Sequence, residues 1–304
     1  MKAPVYILLI LTACLMIKPA SAQPLANLVN DWCDTDWAET QRHQQPDGEP
    51  TLSKETVVIS TEFGEIKIKL FNETPLHRDN FLKLVKQGFY DSLLFHRVIE
   101  QFMIQGGDPY SKHAAPNVML GDSDLHYSIP AEFNPKLFHK KGMLCAARES
   151  DDKNPTKASS ACQFYIVQGR VFNDQELKAQ EYRQNKALLA KITTDIVLND
   201  PTAKAIKERL HGYETAGNKD SAQVEGKRLD AMVKAVYEKT EHYTFSSEQI
   251  QAYKTVGGTP HLDRNYTVFG QVIEGLDVLD KIAAVATNRQ NRPLKDIRMN
   301  MRIE

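Results

Sequence analysis

The side chains of residues 95–108 could bind and polarise a substrate without attacking it. This stretch combines Arg97, Gln105, the aromatic Phe102 and the thioether Met103, and it alternates like a β-strand. Such a mixture suits a shallow apolar pocket with a guanidinium at its lip. The stretch contains no nucleophile–base pair and no metal-ligand spacing. We therefore expect a site that acts by non-covalent binding.

Motifs for other kinds of chemistry are missing from the sequence. G-x-S-x-G, G-x-x-x-x-G-K-[ST] and G-x-G-x-x-G do not occur, which argues against a serine hydrolase elbow and against nucleotide-binding loops. The nine histidines are scattered and form no H-x-x-x-H pair. We therefore expect no metal and no cofactor.

Composition narrows the class of partner. The 304 residues include 38 basic and 39 acidic side chains, a formal net charge of -1, so no electrostatic footprint for nucleic acid is present. With 41% hydrophobic and 25% charged residues, the composition is that of an ordinary globular protein. The length is sufficient for one large domain with a sizeable core.

The first residues predict export. Lys2 precedes an apolar run over residues 5–17, and Ala-Ser-Ala follows at 20–22, which is typical of a cleaved signal peptide over residues 1–22. The mature protein would then be periplasmic and would have no integral membrane span. Leu-Thr-Ala-Cys at 11–14 also resembles a lipobox, so the alternative is an envelope lipoprotein acylated at Cys14.

Cleavage after Ala22 would leave three cysteines, Cys33, Cys145 and Cys162. An odd number without a C-x-x-C pair indicates neither a disulfide framework nor a zinc site. One disulfide, or three thiols, are both compatible with the sequence.

The remaining chain reads as a β-rich domain interrupted by helices. Polar residues 23–54 predict an arm, and a hairpin follows over residues 57–70. Thr74 and Pro75 are typical of a helix start, with Thr74 as the cap. Strand patterns recur at 94–104, 142–147, 163–168 and 266–273, and 275–284 predicts a short helix. Residues 173–250 instead predict a helical insertion within a domain spanning 55–304.

The motif F-H-R-V-I-x-x-F-M-I-Q-G-G-D at 95–108 resembles the signature of the cyclophilins, a family of peptidyl-prolyl cis-trans isomerases. Residues 142–148, 163–166 and 262–270 resemble later blocks of the family, in the same order. The resemblance implies a mainly β fold: a closed eight-stranded antiparallel β-barrel with two flanking helices, to which this chain adds the helical insertion.

The resemblance also implies roles for individual residues. The catalytic residues would be Arg97, as the donor, and Gln105, which would help to hold both Arg97 and the substrate. The substrate, a proline-containing polypeptide, would contact Phe102, Met103, Ala147, Arg148, Gln163, Tyr165, His261, Leu262 and Tyr266. Tyr165 stands where the family usually has phenylalanine, so its hydroxyl should find a polar partner. The alternative function is a non-catalytic proline-peptide binder or chaperone on the same scaffold.

The position of the insertion suggests where it lies. It leaves the domain after Phe172 and returns before Leu262, and both neighbourhoods carry expected site residues. We therefore expect the insertion near the rim of the site, where it could select substrates or dock a protein partner.

Overall fold

A computed structural model describes residues 49–116 and 118–304. The expected signal peptide, Cys14, Cys33 and most of the expected arm lie outside the described residues. The first strand begins at Leu52, so the last residues assigned to the arm belong to the sheet. Among the described residues, no helix is both long and apolar enough to cross a membrane.

Ten strands are present in the described part of the chain. They are β1 (Leu52–Thr61), β2 (Gly64–Phe71), β3 (Arg97–Ile99), β4 (Met103–Gly106), β5 (Ser128–Ile129), β6 (Met143–Ala146), β7 (Ser159–Ser160), β8 (Phe164–Val167), β9 (Val268–Glu274) and β10 (Asn300–Ile303). Eight of them form one sheet in the order β10-β1-β2-β9-β6-β8-β4-β3, and β5 pairs with β7. Every pairing is antiparallel.

The eight-stranded sheet is an open half-barrel, so the prediction of a closed barrel is wrong. No ladder joins the edge strands β3 and β10 in the described residues. The segments just outside them, 92–95 and 297–299, share only one isolated bridge, between Leu94 and Arg298, and a few backbone hydrogen bonds. The Leu94 N–H donates to Ser111 Oγ at 3.1 Å. This N–H faces away from the 297–299 segment, because the bridge is made by the Phe95 N–H and the Leu93 carbonyl.

Two helices flank the sheet, as predicted: α1 (Pro75–Lys86) and α6 (Leu276–Ala283). Thr74 does not cap α1 with its side chain. Glu132, from a distant loop, accepts hydrogen bonds from the Leu76 and His77 N–H groups at 3.1 and 3.0 Å. A carboxylate satisfies these unpaired donors and suits the positive end of the helix dipole. The capping group therefore comes from tertiary structure.

Alternation along the strands separates a core face from a site face. Neighbouring side chains point to opposite sides of a strand, so Ile104 and Ile166 enter the main core against α1 and α6. Met103 and Tyr165 enter a second cluster on the other face. Each strand that carries site residues thus packs one face in the main core and directs the other face towards the second cluster, where the site residues lie.

Four helices lie between β8 and β9: α2 (Asp174–Asn199), α3 (Pro201–Thr215), α4 (Lys219–Tyr237) and α5 (Ser247–Thr255). We call residues 174–255 the helical segment. The helix α5 extends past the predicted end of the insertion at residue 250. The segment has a small core of its own, formed by Val197, Ala203, Ile206 and Leu229, and an aromatic cluster joins it to the sheet domain through Phe138 and Phe172.

Candidate active site

The pairing of β3 with β4 places Arg97 directly opposite Gln105. Arg97 Nη1 donates to Gln105 Oε1 at 3.0 Å. The two residues are half-buried and project from the same face of the sheet because they are cross-strand partners. The eight-residue separation seen in the sequence thus becomes a direct contact across a tight hairpin.

A row of amides fixes the orientation of Gln105. Its Nε2 donates to Gln163 Oε1 at 3.0 Å, and Gln163 Nε2 donates to the Gly121 and Ser123 carbonyls at 2.9 and 2.6 Å. Because each amide nitrogen faces an acceptor, the Gln105 oxygen must point at Arg97. The guanidinium is therefore held in one place before any substrate arrives.

Arg97 carries the positive charge at this position. Burial lowers the pKa of its guanidinium, and the nearby Tyr266 opposes that shift; a group with an ordinary pKa above about 12 stays charged at neutral pH. Burial also lowers the pKa of the adjacent His96 to about 4, so this imidazole is neutral at pH 7. No like charge from His96 then competes with Arg97.

A cavity of about 210 Å³ opens beside the guanidinium. Met103, Phe102 and Leu262 give it apolar walls, and Arg97 and Gln105 form its polar edge. Nine of the eleven predicted site residues line it, namely Arg97, Phe102, Met103, Gln105, Ala147, Arg148, Tyr165, Leu262 and Tyr266. The structure thus brings together residues from four separate blocks of sequence.

The other two predicted residues lie beside the cavity. Gln163 reaches it through Gln105. The His261 ring stacks on Phe102 with centroids 5.5 Å apart and an interplanar angle of 29°. Burial among protein groups lowers the pKa of His261, and its carbonyl accepts a hydrogen bond from Gln184 of α2 at 3.3 Å. The helical segment therefore reaches the rim at this residue.

Arg148 supports the wall with its side chain. Its guanidinium lies 4.5 Å from the centroid of the Tyr266 ring, and its Nε donates to the Asn265 carbonyl at 2.8 Å. The side chain is only 4% exposed. Ala147 already uses its N–H for the Gln163 carbonyl and its carbonyl for the Ser160 N–H. Substrate binding by the backbone of 147–148 stays a prediction.

A second cavity of about 410 Å³ adjoins the first and shares Gln105, Ala147 and Arg148 with it. Its wall includes Lys153 and Asn154 from the 149–162 loop. The residue types are polar and charged of both signs, so this space suits the solvated flank of an extended chain better than a second apolar side chain.

Sequence reasoning missed the buried pair His139 and Asp263 behind the wall. Tyr165 Oη lies 3.0 Å from His139 Nε2, and His139 Nδ1 lies 2.9 Å from Asp263 Oδ1. The only signal was the hydroxyl of Tyr165, which was expected to find a partner. Nothing local identified which residue that would be, because His139 and Asp263 are 124 residues apart.

No candidate metal centre occurs within residues 49–116 and 118–304, where no three potential ligands converge. Cys145 and Cys162 are both buried and free, so they do not form a disulfide with each other. Burial raises the pKa of each thiol, which disfavours the reactive thiolate.

Comparison with known proteins identifies the family. The model for "Cyclophilin type peptidyl-prolyl cis-trans isomerase/CLD" matches residues 56–182 and 233–302; the omitted stretch lies inside the helical segment. A Staphylococcus aureus protein provisionally described as a peptidyl-prolyl cis-trans isomerase is 30% identical over 82% of this chain and 93% of its own length.

Two further proteins are also similar to this chain. A Streptococcus pyogenes protein, provisionally described as a bifunctional phosphatase/peptidyl-prolyl cis-trans isomerase, is 32% identical over 79% of this chain, which spans 37% of that protein's length. A solved cyclophilin type peptidyl-prolyl cis-trans isomerase from Cryptosporidium parvum is 18% identical, with a TM-score of 0.47 over 84% of this chain and 98% of that one. The family model and the Staphylococcus relative carry the assignment: this chain belongs to the cyclophilin-type peptidyl-prolyl cis-trans isomerases.

Proposed function

We propose that the chain accelerates cis–trans isomerisation of X–Pro bonds in polypeptides and that the Arg97 cavity is the active site. The observation that carries this proposal is the Arg97 guanidinium, held by Gln105 at the lip of a cavity with apolar walls. The arrangement needs no cofactor, because the reaction makes and breaks no covalent bond.

The barrier explains why one aimed donor is useful. Resonance keeps an amide planar with a rotation barrier of roughly 18–20 kcal/mol. In the twisted transition state, the proline nitrogen regains its lone pair. A guanidinium N–H directed at that nitrogen therefore binds the transition state more strongly than the planar ground state, which is what lowers a barrier. Arg97 is the residue placed to make this hydrogen bond.

The apolar wall assists in a second way. A proline ring seated against Phe102, Met103 and Leu262 would bury apolar surface and bring its amide next to Arg97. Water excluded from the amide no longer stabilises the charge-separated planar resonance form, so twisting becomes easier. Binding and catalysis thus use neighbouring groups in one cavity.

The rival function is a non-catalytic proline-peptide binder or chaperone. A refolding protein whose slow phase is limited by an X–Pro bond distinguishes the two. We expect substoichiometric amounts of the chain to accelerate that phase, since uncatalysed exchange takes about tens to hundreds of seconds. A binder would alter refolding only when it is present at about the concentration of its client. Absence of acceleration at any ratio would refute the enzyme proposal.

We also propose that the chain is exported and acts on exported polypeptides. The charged and apolar pattern of residues 2–17 and the Ala-Ser-Ala at 20–22 support this. The expected mature N-terminus is Gln23, and mass spectrometry of protein purified from its native cell measures it directly. An acylated Cys14 would instead indicate the lipoprotein alternative, and an intact Met1 in envelope-free extract would contradict export. A protein partner at the helical segment stays a prediction.

A further inference from the structure

One buried carboxylate, Asp263, gathers donors from two parts of the chain. It is 2% exposed, and its Oδ1 accepts from the backbone N–H and the ring Nδ1 of His139, both at 2.9 Å. Its Oδ2 accepts from Tyr253 Oη at 2.7 Å, Tyr243 Oη at 3.1 Å and Gln249 Nε2 at 3.3 Å. An isolated buried carboxylate would be costly, and these five donors offset that cost.

Three of the five donors belong to the helical segment. Gln249 and Tyr253 lie on α5, and Tyr243 precedes it. Tyr243 and Tyr253 also pack in the aromatic cluster with Phe138, the neighbour of His139. The segment is therefore attached to the sheet domain through the same few residues that surround the Asp263 carboxylate.

The other side of the carboxylate leads to the wall of the cavity. His139 Nδ1 lies 2.9 Å from Asp263 Oδ1, and His139 Nε2 lies 3.0 Å from Tyr165 Oη. A proton on Nδ1 makes Nε2 an acceptor for the Tyr165 hydroxyl. Tyr165 lines the cavity, and so does Leu262, the residue before Asp263. Two wall residues thus depend on one carboxylate, one through the chain and one through His139.

We propose that Asp263 is a positioning residue through which the helical segment fixes the apolar wall of the proline cavity. The catalytic consequence rests on the proposed function. Losing donors from the helical segment should let Asp263 and His139 shift, and Tyr165 and Leu262 would shift with them. A displaced wall would hold the proline ring less well and so raise KM.

The test replaces the two hydroxyls of the helical segment that reach Asp263. The double variant Tyr243→Phe/Tyr253→Phe keeps both rings in the aromatic cluster. Tyr182→Phe is the matched control, because Tyr182 lies on α2 and is 69% exposed. We expect kcat/KM on an X–Pro tetrapeptide to fall about tenfold in the double variant, mainly through KM, because the wall binds the ring in ground and transition states alike. The control should match wild type.

Ring ¹⁵N shifts of His139, measured on folded protein, report directly on its contacts with Asp263 and Tyr165. They should move in the double variant and stay fixed in the control. Unchanged KM and unchanged His139 shifts in a folded double variant would overturn the proposal. If circular dichroism shows that the double variant is unfolded, Tyr243→Phe alone is judged by the same criteria. If wild type has no isomerase activity, the proposed function fails. The affinity for an Ala-Pro peptide then tests the positioning role of Asp263: weaker binding by the double variant supports this role, and equal binding overturns it.

Discussion

Replacing Arg97 by alanine is expected to lower kcat/KM for X–Pro isomerisation about 10²- to 10³-fold, the range seen when a preorganised donor to a transition state is removed. The loss should appear in kcat more than in peptide affinity, because the planar ground state offers the guanidinium no nitrogen lone pair. Saturation kinetics on a tetrapeptide, with peptide affinity measured separately, check both parts.

Two comparisons keep this result interpretable. Arg289→Ala removes an exposed guanidinium that does not line the cavity and should leave kcat/KM unchanged. Arg97→Lys keeps the positive charge but replaces the planar guanidinium by an ammonium group. When this group donates to Gln105, as Arg97 Nη1 does at 3.0 Å, it has no second N–H held in a fixed direction towards the substrate. We expect it to recover only part of the activity. Full activity in Arg97→Ala would remove Arg97 from the mechanism.

Gly107→Ala should lower the free energy of unfolding by about 3 kcal/mol. Gly107 has φ +97°, where a side chain costs about 1–2 kcal/mol. An added Cβ would lie 2.2 Å from the Cys162 carbonyl oxygen and 2.9 Å from Gln163 Cα. These are backbone atoms, so β8 would have to move, at a further cost of about 1–3 kcal/mol. Because Gln163 moves with it, activity should fall as well. Denaturant unfolding and the tetrapeptide assay measure the two effects.

The matched control is Gly226→Ala in the interior of α4. No atom lies within 4 Å of the Cβ added there, and alanine is favoured over glycine in a helix by about 1 kcal/mol. This variant should therefore be slightly more stable than wild type and equally active. A Gly107→Ala protein as stable as Gly226→Ala would contradict the close packing of Gly107 against the backbone of residues 162–163.

The sequence predicted the site well where local rules govern it. Period-two alternation puts Met103 and Gln105 on one face of β4 and Ile104 on the other, so the candidate residues of 95–108 could be sorted from sequence. The family resemblance, which rests on the order of the later blocks, predicted that Tyr165, Leu262 and Tyr266 belong to one site, and all three line the cavity. The roles of these residues in substrate binding and catalysis stay predictions.

Features that depend on long-range contacts could not be predicted. Alternation along β3 and β10 predicts which side chains are buried but not whether these two edge strands pair, and no ladder joins them in the described residues. Thr74 suits an N-cap by type, but Glu132 supplies the capping oxygens from 55 residues away. Asp263 carried no predicted role, and its partners in the helical segment and at His139 are brought to it only by the folded chain.

Exchange NMR on one Ala-Pro-containing peptide tests the central claim most directly, because the same sample reports binding and isomerisation. With wild type present at a small fraction of the peptide concentration, we predict exchange cross-peaks between the cis and trans forms that are absent from the free peptide. With Arg97→Ala, we predict similar peptide shifts on titration without those cross-peaks. Wild-type binding without enhanced exchange, or equal exchange in the variant, would contradict catalysis by Arg97.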